Sequence, residues 1–366
     1  MKKHFKDHIQ NMKRYQTSLG RDLVHGYRLD RNERVSNLSP NVMEDLLKKF
    51  SNYIFSASPE SATLYEKIAK SLNVEKDKIY ITGGITEGIR ILYEILTNPG
   101  DNVIVLDPTY PMFMVYAGLY QLDYRKITYK NDLTVDFDSL YRQMDQRTKI
   151  VLIPNPNLPI ESSLSIEQLR SVAQECKKRD IVLVVDEAYH FFGSPTVLSL
   201  IDEFENLIVT RTFSKAYGLA GLRLGFMVSQ PQNIEYFNKT RSLVESNTLS
   251  MLVAEYFLDH PELVQEHVRE VKEGAAYLQT ELDKLGLRWH GGNFTNGLLI
   301  FLDEPAQSKA VVSYMRERKI YIRGSFEAPY DACIRISIGP KSVMEVFMKE
   351  FTRWLSENTN IIKSYV

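Results

Sequence analysis

A chain of 366 residues, 44% apolar and 25% charged, has the composition of a soluble folded protein and the length for two packed lobes. A net charge of −1, with no like-charge block or basic stripe, argues against nucleic acid or an anionic membrane as partner. No apolar run approaches the roughly 18 residues needed to cross a bilayer. The opening MKKHFKDHIQNMKRY has basic residues but no apolar core behind them, so a cytoplasmic protein without a secretory signal is expected.

In chain order, residues 1–35 are polar and irregular and read as an arm that contributes to a small domain. From about 38 to 230, apolar runs alternate with amphipathic ones. KIYITGG (78–84) predicts a strand leading into the helix TEGIRILYEIL (86–96). DNVIVLDP (101–108) and KIVLIPNP (149–156) predict two more strands, the second followed by the helix SIEQLRSVAQECKKRD (165–180). IVLVVDEAY (181–189) and NLIVTRTF (206–213) are further strand runs. Strands this uniformly apolar are buried on both faces, so a mostly parallel sheet between helices is expected, an α/β fold. After about 240 the pattern changes. A helical region near 246–286 precedes GLLIFLDE (297–304), KIYIRG (319–324) and CIRISIG (333–339), and an amphipathic helix closes the chain at 341–356. The expected division is an arm (1–35), a large domain (36–245) and a smaller α+β domain (246–366), sharing a cleft. Cys176 and Cys333 lack metal-type spacing and read as reduced thiols.

Open α/β sheets bind ligands beyond the carboxyl ends of their strands. The residues at those ends are Gly83, Gly84, Ile85 and Thr86; then Asp107, Thr109 and Tyr110; then Asn155 and Asn157. Asp186 and Tyr189 follow, and lastly Thr212, Ser214, Lys215 and Arg223. Each has an ordinary structural reading by itself. Together they set anion binders, an aromatic face, a carboxylate and a lysine on one rim. TGGITEG (82–88) is neither G-x-G-x-x-G nor a phosphate loop ending in G-K-[ST], yet a glycine turn entering a helix still offers free amides to an anion. An amine held beside cations is a nucleophile able to form a Schiff base with an aldehyde. Thr212, Ser214 and Arg223 beside Lys215 suit a phosphate, and an aldehyde carrying its own phosphate is pyridoxal phosphate.

The stretch TRTFSKAYGLAGLRLGF (210–226) resembles the lysine segment of fold-type I pyridoxal-phosphate enzymes, specifically the histidinol-phosphate aminotransferase group. The hydroxyls Thr212 and Ser214, the lysine Lys215 and the arginine Arg223 match all four places of that pattern, and the likeness runs from about residue 30 to 355. The resemblance implies that Lys215 holds the cofactor aldehyde and acts as acid and base. Asp186 would pair with the pyridine nitrogen and keep it protonated. Tyr189 would hydrogen-bond the 3′-oxygen, and Tyr110 would stack on the ring. Gly84, Ile85 and Thr86 would hold the phosphate with Thr212, Ser214 and Arg223. Arg335 would grip the substrate α-carboxylate through its planar fork, with Arg323 as a second substrate-side arginine. A homodimer is implied in the same way.

Two stretches depart from the pattern. Where the family carries N-N-P-T-G, this chain reads NPNLPIESS (155–163). Asn157 matches the first asparagine, but Leu158 stands at the second, cofactor-contacting one and cannot donate. Either Asn157 takes over through a shifted turn, or Tyr189 works alone. Around SNYIFSASPESATLYEKIAK (51–70), Tyr53 and Tyr65 are both candidates for a tyrosine that crosses the dimer interface, and a substrate other than histidinol phosphate is expected. The leading expectation is an aminotransferase with glutamate as donor. A decarboxylase of an amino-acid phosphate is the alternative, and a non-enzymatic cofactor-binding regulator is a third reading.

Overall fold

The computed structural model describes residues 4–16, 19–50 and 52–358. A short strand, β1 (Tyr27–Leu29), precedes the sheet that organises the chain. That sheet contains β2 (Ile79–Thr82), β3 (Asn102–Asp107), β4 (Asp123–Thr128), β5 (Thr148–Pro154), β6 (Val182–Asp186), β7 (Leu207–Thr212) and β8 (Gly225–Val228). Their order is β2-β8-β7-β6-β5-β3-β4. All neighbours from β7 to β4 are parallel, and β8 runs antiparallel to both β7 and β2.

Side chains alternate across a strand, so a run that is apolar throughout feeds two cores at once. Val103 and Val105 of β3 join Ile150, Leu152 and Val184 in the core on one face. Ile104 and Leu106 join Val151, Ile153, Leu183 and Val185 in the core on the other. The helix Ile85–Leu96 covers the first face with Ile85, Ile89, Leu92 and Tyr93, a 3.6-residue stripe. The helix Ile166–Lys178 turns Leu169, Val172, Ala173 and Cys176 to the second, and starts at a capping box between Ser165 and Gln168.

Strand β4 has a different character. Its sequence, DYRKIT, buries Ile127 alone, because it is the sheet edge and faces water. Arg125 there pairs with Asp123 and Asp145. The helical region expected near 246–286 is two helices, Thr248–Asp259 and Pro261–Lys284. Pro261 starts the second, where its missing N–H has no helical partner to lose.

The C-terminal part forms an antiparallel sheet of β9 (Trp289–Gly291), β10 (Gly297–Phe301) and, after β11 (Ile320–Ile322), β12 (Cys333–Ser337), in the order β12-β10-β9. The closing helix Lys341–Glu357 packs Phe347, Phe351 and Trp354 inward. The arm is less irregular than its polarity suggests. β1 pairs in parallel with β11, Tyr27 opposite Ile320, and Leu29 is fully buried. Both cysteines are buried and free, and burial pushes each thiol up to about 12.

Glu161 joins the loop after β5 to the turn between β9 and β10. Its buried carboxylate accepts from the amides of Gly292 (3.1 Å), Asn293 (3.0 Å) and Phe294 (3.0 Å) and from Thr295 Oγ1 (2.8 Å). Glu161→Ala strands these donors together, and a loss of about 3 kcal/mol is expected. A lowered urea midpoint checks this; an unchanged midpoint would mean that water replaces the carboxylate without cost.

Candidate active site

The carboxyl ends of the parallel strands meet at one edge, as the register shows: Pro154 lies opposite Asp186, Asp186 opposite Thr210, and Gly225 opposite both Thr212 and Thr82. β8 is antiparallel because the turn from Thr212 to Gly225 contains no crossover helix to carry it to the far edge. The return therefore leaves Lys215 and Arg223 on the same rim as Asp186. Beyond that rim lies a cavity of about 930 Å³ between the large sheet, the arm and the β11–β12 region. Of the residues expected to hold cofactor or substrate, all but Gly84 line it, and Gly84 stands against Arg223, whereas Gly83, Asp107 and Asn155 of the strand ends are not part of its lining.

Lys215 Nζ donates to the backbone carbonyls of Arg31 (3.3 Å) and Asn32 (3.2 Å) and lies 5.5 Å from the centre of the Tyr189 ring. Its turn is fixed from below by His267, a buried ring whose Nδ1 donates to the Ala216 carbonyl at 2.7 Å and which burial pushes down to about 4. Asp186 is buried. Its Oδ1 accepts from the Ala188 amide (3.0 Å) and Thr210 Oγ1 (3.1 Å), and burial pushes it up to about 6 against the opposing pull of Lys215. The adjacent carboxylate has another fate. Glu187 takes Arg211 at 2.7 Å in a pair with both side chains buried. Arg211 thus neutralises Glu187, and Asp186 is left facing the cavity as a carboxylate suited to a cationic ligand.

At the other end of the rim, Gly84 has φ of +85°, and a Cβ there would come within 3.0 Å of Arg223 Nη2. Gly225 permits the same approach from below, since a Cβ on it would meet the Arg211 carbonyl at 2.8 Å and the Ile85 amide at 3.1 Å. The amides of Ile85 and Thr86 open the helix Ile85–Leu96, where the first turn has no intrahelical acceptors. Thr86 Oγ1 lies 2.8 Å from Tyr110 Oη, and Thr212 Oγ1 accepts from the Ser214 amide at 3.0 Å.

On the β11–β12 side of the cavity, Arg323 and Arg335 face each other across an antiparallel bridge. Arg335 Nη2 donates to the Asp30 carbonyl at 2.7 Å, its buried Nε has no partner among the described residues, and burial moves its pKa below the ordinary arginine value. Arg323 Nη2 donates to Tyr15 Oη at 3.3 Å.

Asn157 lines the cavity with its donors already engaged. Its Nδ2 donates to the carbonyls of Pro108 (2.9 Å) and Ile160 (3.3 Å) and to Tyr129 Oη (2.7 Å), while Oδ1 accepts from Thr109. Leu158 packs on Gly297, where a Cβ would come within 2.9 Å of it. Of the two tyrosines expected as candidates for an interface, Tyr65 is tied within its own chain to Glu245 and the Ile81 amide, whereas Tyr53 is exposed, as is Phe55. The residues missed from sequence belong to the arm: Tyr15, Asp30, Arg31 and Asn32 all line the cavity. Their one local signal is the alternation Tyr27-Arg28-Leu29 ahead of a charged stretch.

These residues fit pyridoxal phosphate. A desolvated carboxylate suits a protonated ring nitrogen, a lysine lies beside it, and a glycine-lined corner with an arginine and free helix amides suits a phosphate. A mostly parallel sheet with this rim defines a fold-type I pyridoxal-phosphate-dependent enzyme. The sequence profile of the family described as aminotransferase class I and II matches residues 27–351, and the chain belongs to that family. It is 26% identical over 334 residues to a histidinol-phosphate aminotransferase of Geobacillus sp. (strain WCH70), covering 90% of each chain. It is 29% identical over 322 residues to a dihydroxyacetone phosphate transaminase of Campylobacter jejuni, covering 87% of each. The histidinol-phosphate aminotransferase of Sinorhizobium meliloti, solved with pyridoxal 5′-phosphate, superimposes with a TM-score of 0.84 at 25% identity, covering 94% of this chain and 95% of that one. The protein is a pyridoxal-phosphate-dependent aminotransferase.

Burial raises Asp186 from 3.8 to about 6, so the folded, cofactor-free protein retains a proton that the unfolded chain has lost between those values. The stability this group contributes is full below about 3.8 and is lost as pH rises through about 6. His267, lowered from 6.5 to about 4, acts in the opposite direction, its contribution being lost as pH falls. Comparison with Asp186→Asn isolates the aspartate. The variant is expected to gain on the parent from pH 4 to 6 and to level off about 3 kcal/mol ahead. Urea titrations of both cofactor-free proteins check this, and a pH-independent difference would contradict it.

Proposed function

We propose that Lys215 is the amine that carries the cofactor and moves protons during transamination of a small, phosphorylated amino acid or amine, with glutamate as amino donor. The observation that supports this reading most is the meeting of Lys215, Asp186, Arg223 and Arg335 around one cavity. Pyridoxal phosphate supplies an aldehyde that an amine can join and an electron-poor ring that stabilises negative charge on the substrate carbon.

The chain's own residues do the rest. Asp186, ionised by a cationic partner, holds the ring nitrogen protonated, and Tyr189 donates to the ring oxygen. Tyr110 covers the ring face. The amides of Ile85 and Thr86, next to Gly84, hold the phosphate together with Thr212, Ser214 and Arg223. Asn157 braces the Pro108–Ile160 corner of the cavity lining. Arg335 grips the α-carboxylate and so selects which bond at Cα is labile, and Lys215 Nζ takes the proton from Cα and returns it. Arg323, beside Arg335, suits a second anionic group on the substrate, and the Geobacillus and Campylobacter relatives are both named for phosphorylated compounds. The division into an arm (1–35), a large domain (36–245) and a small domain (246–366) is supported by the pairing of β1 with β11. We further infer a cytoplasmic homodimer in which exposed Tyr53 reaches the partner's cavity.

Lys215→Ala is expected to lose the visible absorbance of the lysine-bound cofactor and to lower turnover at least about 10³-fold. Borohydride reduction of the parent protein should tag Lys215, identified by peptide mass; a tag elsewhere would overturn the assignment. Glutamate should convert the bound cofactor to its amine form, whereas carbon dioxide released from phosphoserine or phosphothreonine would reassign the enzyme to decarboxylation.

A further inference from the structure

Leu158 stands where the family pattern would place an amide donor to the cofactor's ring oxygen, and Asn157 has its donors engaged elsewhere. Tyr189 remains, and a phenol has one proton to give and two lone pairs to fill. The direction of that proton decides whether Tyr189 donates toward the cavity or away from it.

Asn32 governs that direction. It is buried and has φ of +54°, the left-handed conformation that asparagine tolerates. Its Nδ2 donates to Tyr189 Oη at 3.0 Å. Its amide cannot be turned round without loss, because Oδ1 accepts from Ser337 Oγ at 3.1 Å while the Asn32 backbone N–H donates to the same oxygen at 2.7 Å. The Asn32 carbonyl accepts from Asn296 Nδ2 and from Lys215 Nζ, each at 3.2 Å. One residue of the arm thus touches both the lysine and the phenol and is itself fixed by residues at the ends of β10 and β12. With a lone pair of Oη filled from Asn32, the Tyr189 proton points elsewhere.

We propose that Asn32 is a positioning residue that directs the Tyr189 hydroxyl toward the cofactor's ring oxygen, in place of the donor missing at Leu158. The proposal rests on the function given above. The charges facing Tyr189 are Lys215 from the turn after β7, Arg335 from β12, Asp186 from β6, and Asp30 beside Arg335. Losing the phenol's donation makes the ring oxygen less able to carry negative charge, so the nitrogen joined to Lys215 keeps its proton to higher pH.

The test is a spectroscopic titration of the lysine-bound chromophore in the holoenzyme. It compares the parent, Asn32→Gly, Asn32→Asp and Tyr189→Phe with both double variants. Glycine accepts the backbone angle without strain and keeps the backbone carbonyl that Asn296 holds. Aspartate keeps the shape but not the donor, and its through-space charge is common to both backgrounds and cancels in the cycle. Each Asn32 variant should raise the titration midpoint with Tyr189 present by about one pH unit more than the same change raises it with Tyr189→Phe. Equal shifts in both backgrounds, or no shift in either, would overturn the role of Asn32 while leaving the cofactor assignment intact. Absence of any visible lysine-bound band in the parent would overturn both. The two variants differ in shape and charge, so a folding defect in one leaves the cycle of the other to decide.

Discussion

The chain leaves the sheet at Thr212 and re-enters it at Gly225 running the opposite way, and the site depends on that reversal. A parallel continuation would need a crossover helix and would carry Arg223 to the far edge of the sheet. The direct return keeps Lys215 and Arg223 over the carboxyl ends of β6 and β2, within reach of Asp186 and of the helix that begins at Ile85. Gly84 and Gly225 make the return sterically possible, since a side chain on either would collide with the opposite wall.

The electrostatics of the rim follow from which charges are matched inside the protein. Glu187 and Arg211 satisfy each other in the core, at a desolvation cost offset by three further bonds to Thr196 and Val197. Asp186, one residue earlier, points to the cavity, and no arginine is paired with it. Burial keeps its proton affinity high. Arg335 shows the same condition with the opposite sign, a desolvated guanidinium with one buried N–H unengaged.

The two halves of the chain meet through polar contacts of high sequence separation. Glu161 joins the loop after β5 to the β9–β10 turn, and Asn32 joins the N-terminal segment, the small sheet and the lysine.

Much of this was legible in the sequence. Strands buried on both faces must be apolar throughout, so β3, β5, β6 and β7 announce themselves, and the hydroxyls, lysine and arginine between Thr212 and Arg223 form a local pattern that survives without any tertiary information. The edge strand β4 was hidden, because one row of its hydrogen bonds and most of its side chains face water. The arm was hidden for a different reason. β1 is held by β11, and Asn32 becomes a site residue only because Ser337, Asn296 and Tyr189 surround it. Periodicity and local motif determined the sheet and the lysine loop; contacts between residues distant in the chain decided which polar side chains line the cavity and which, like Asn157, were already engaged.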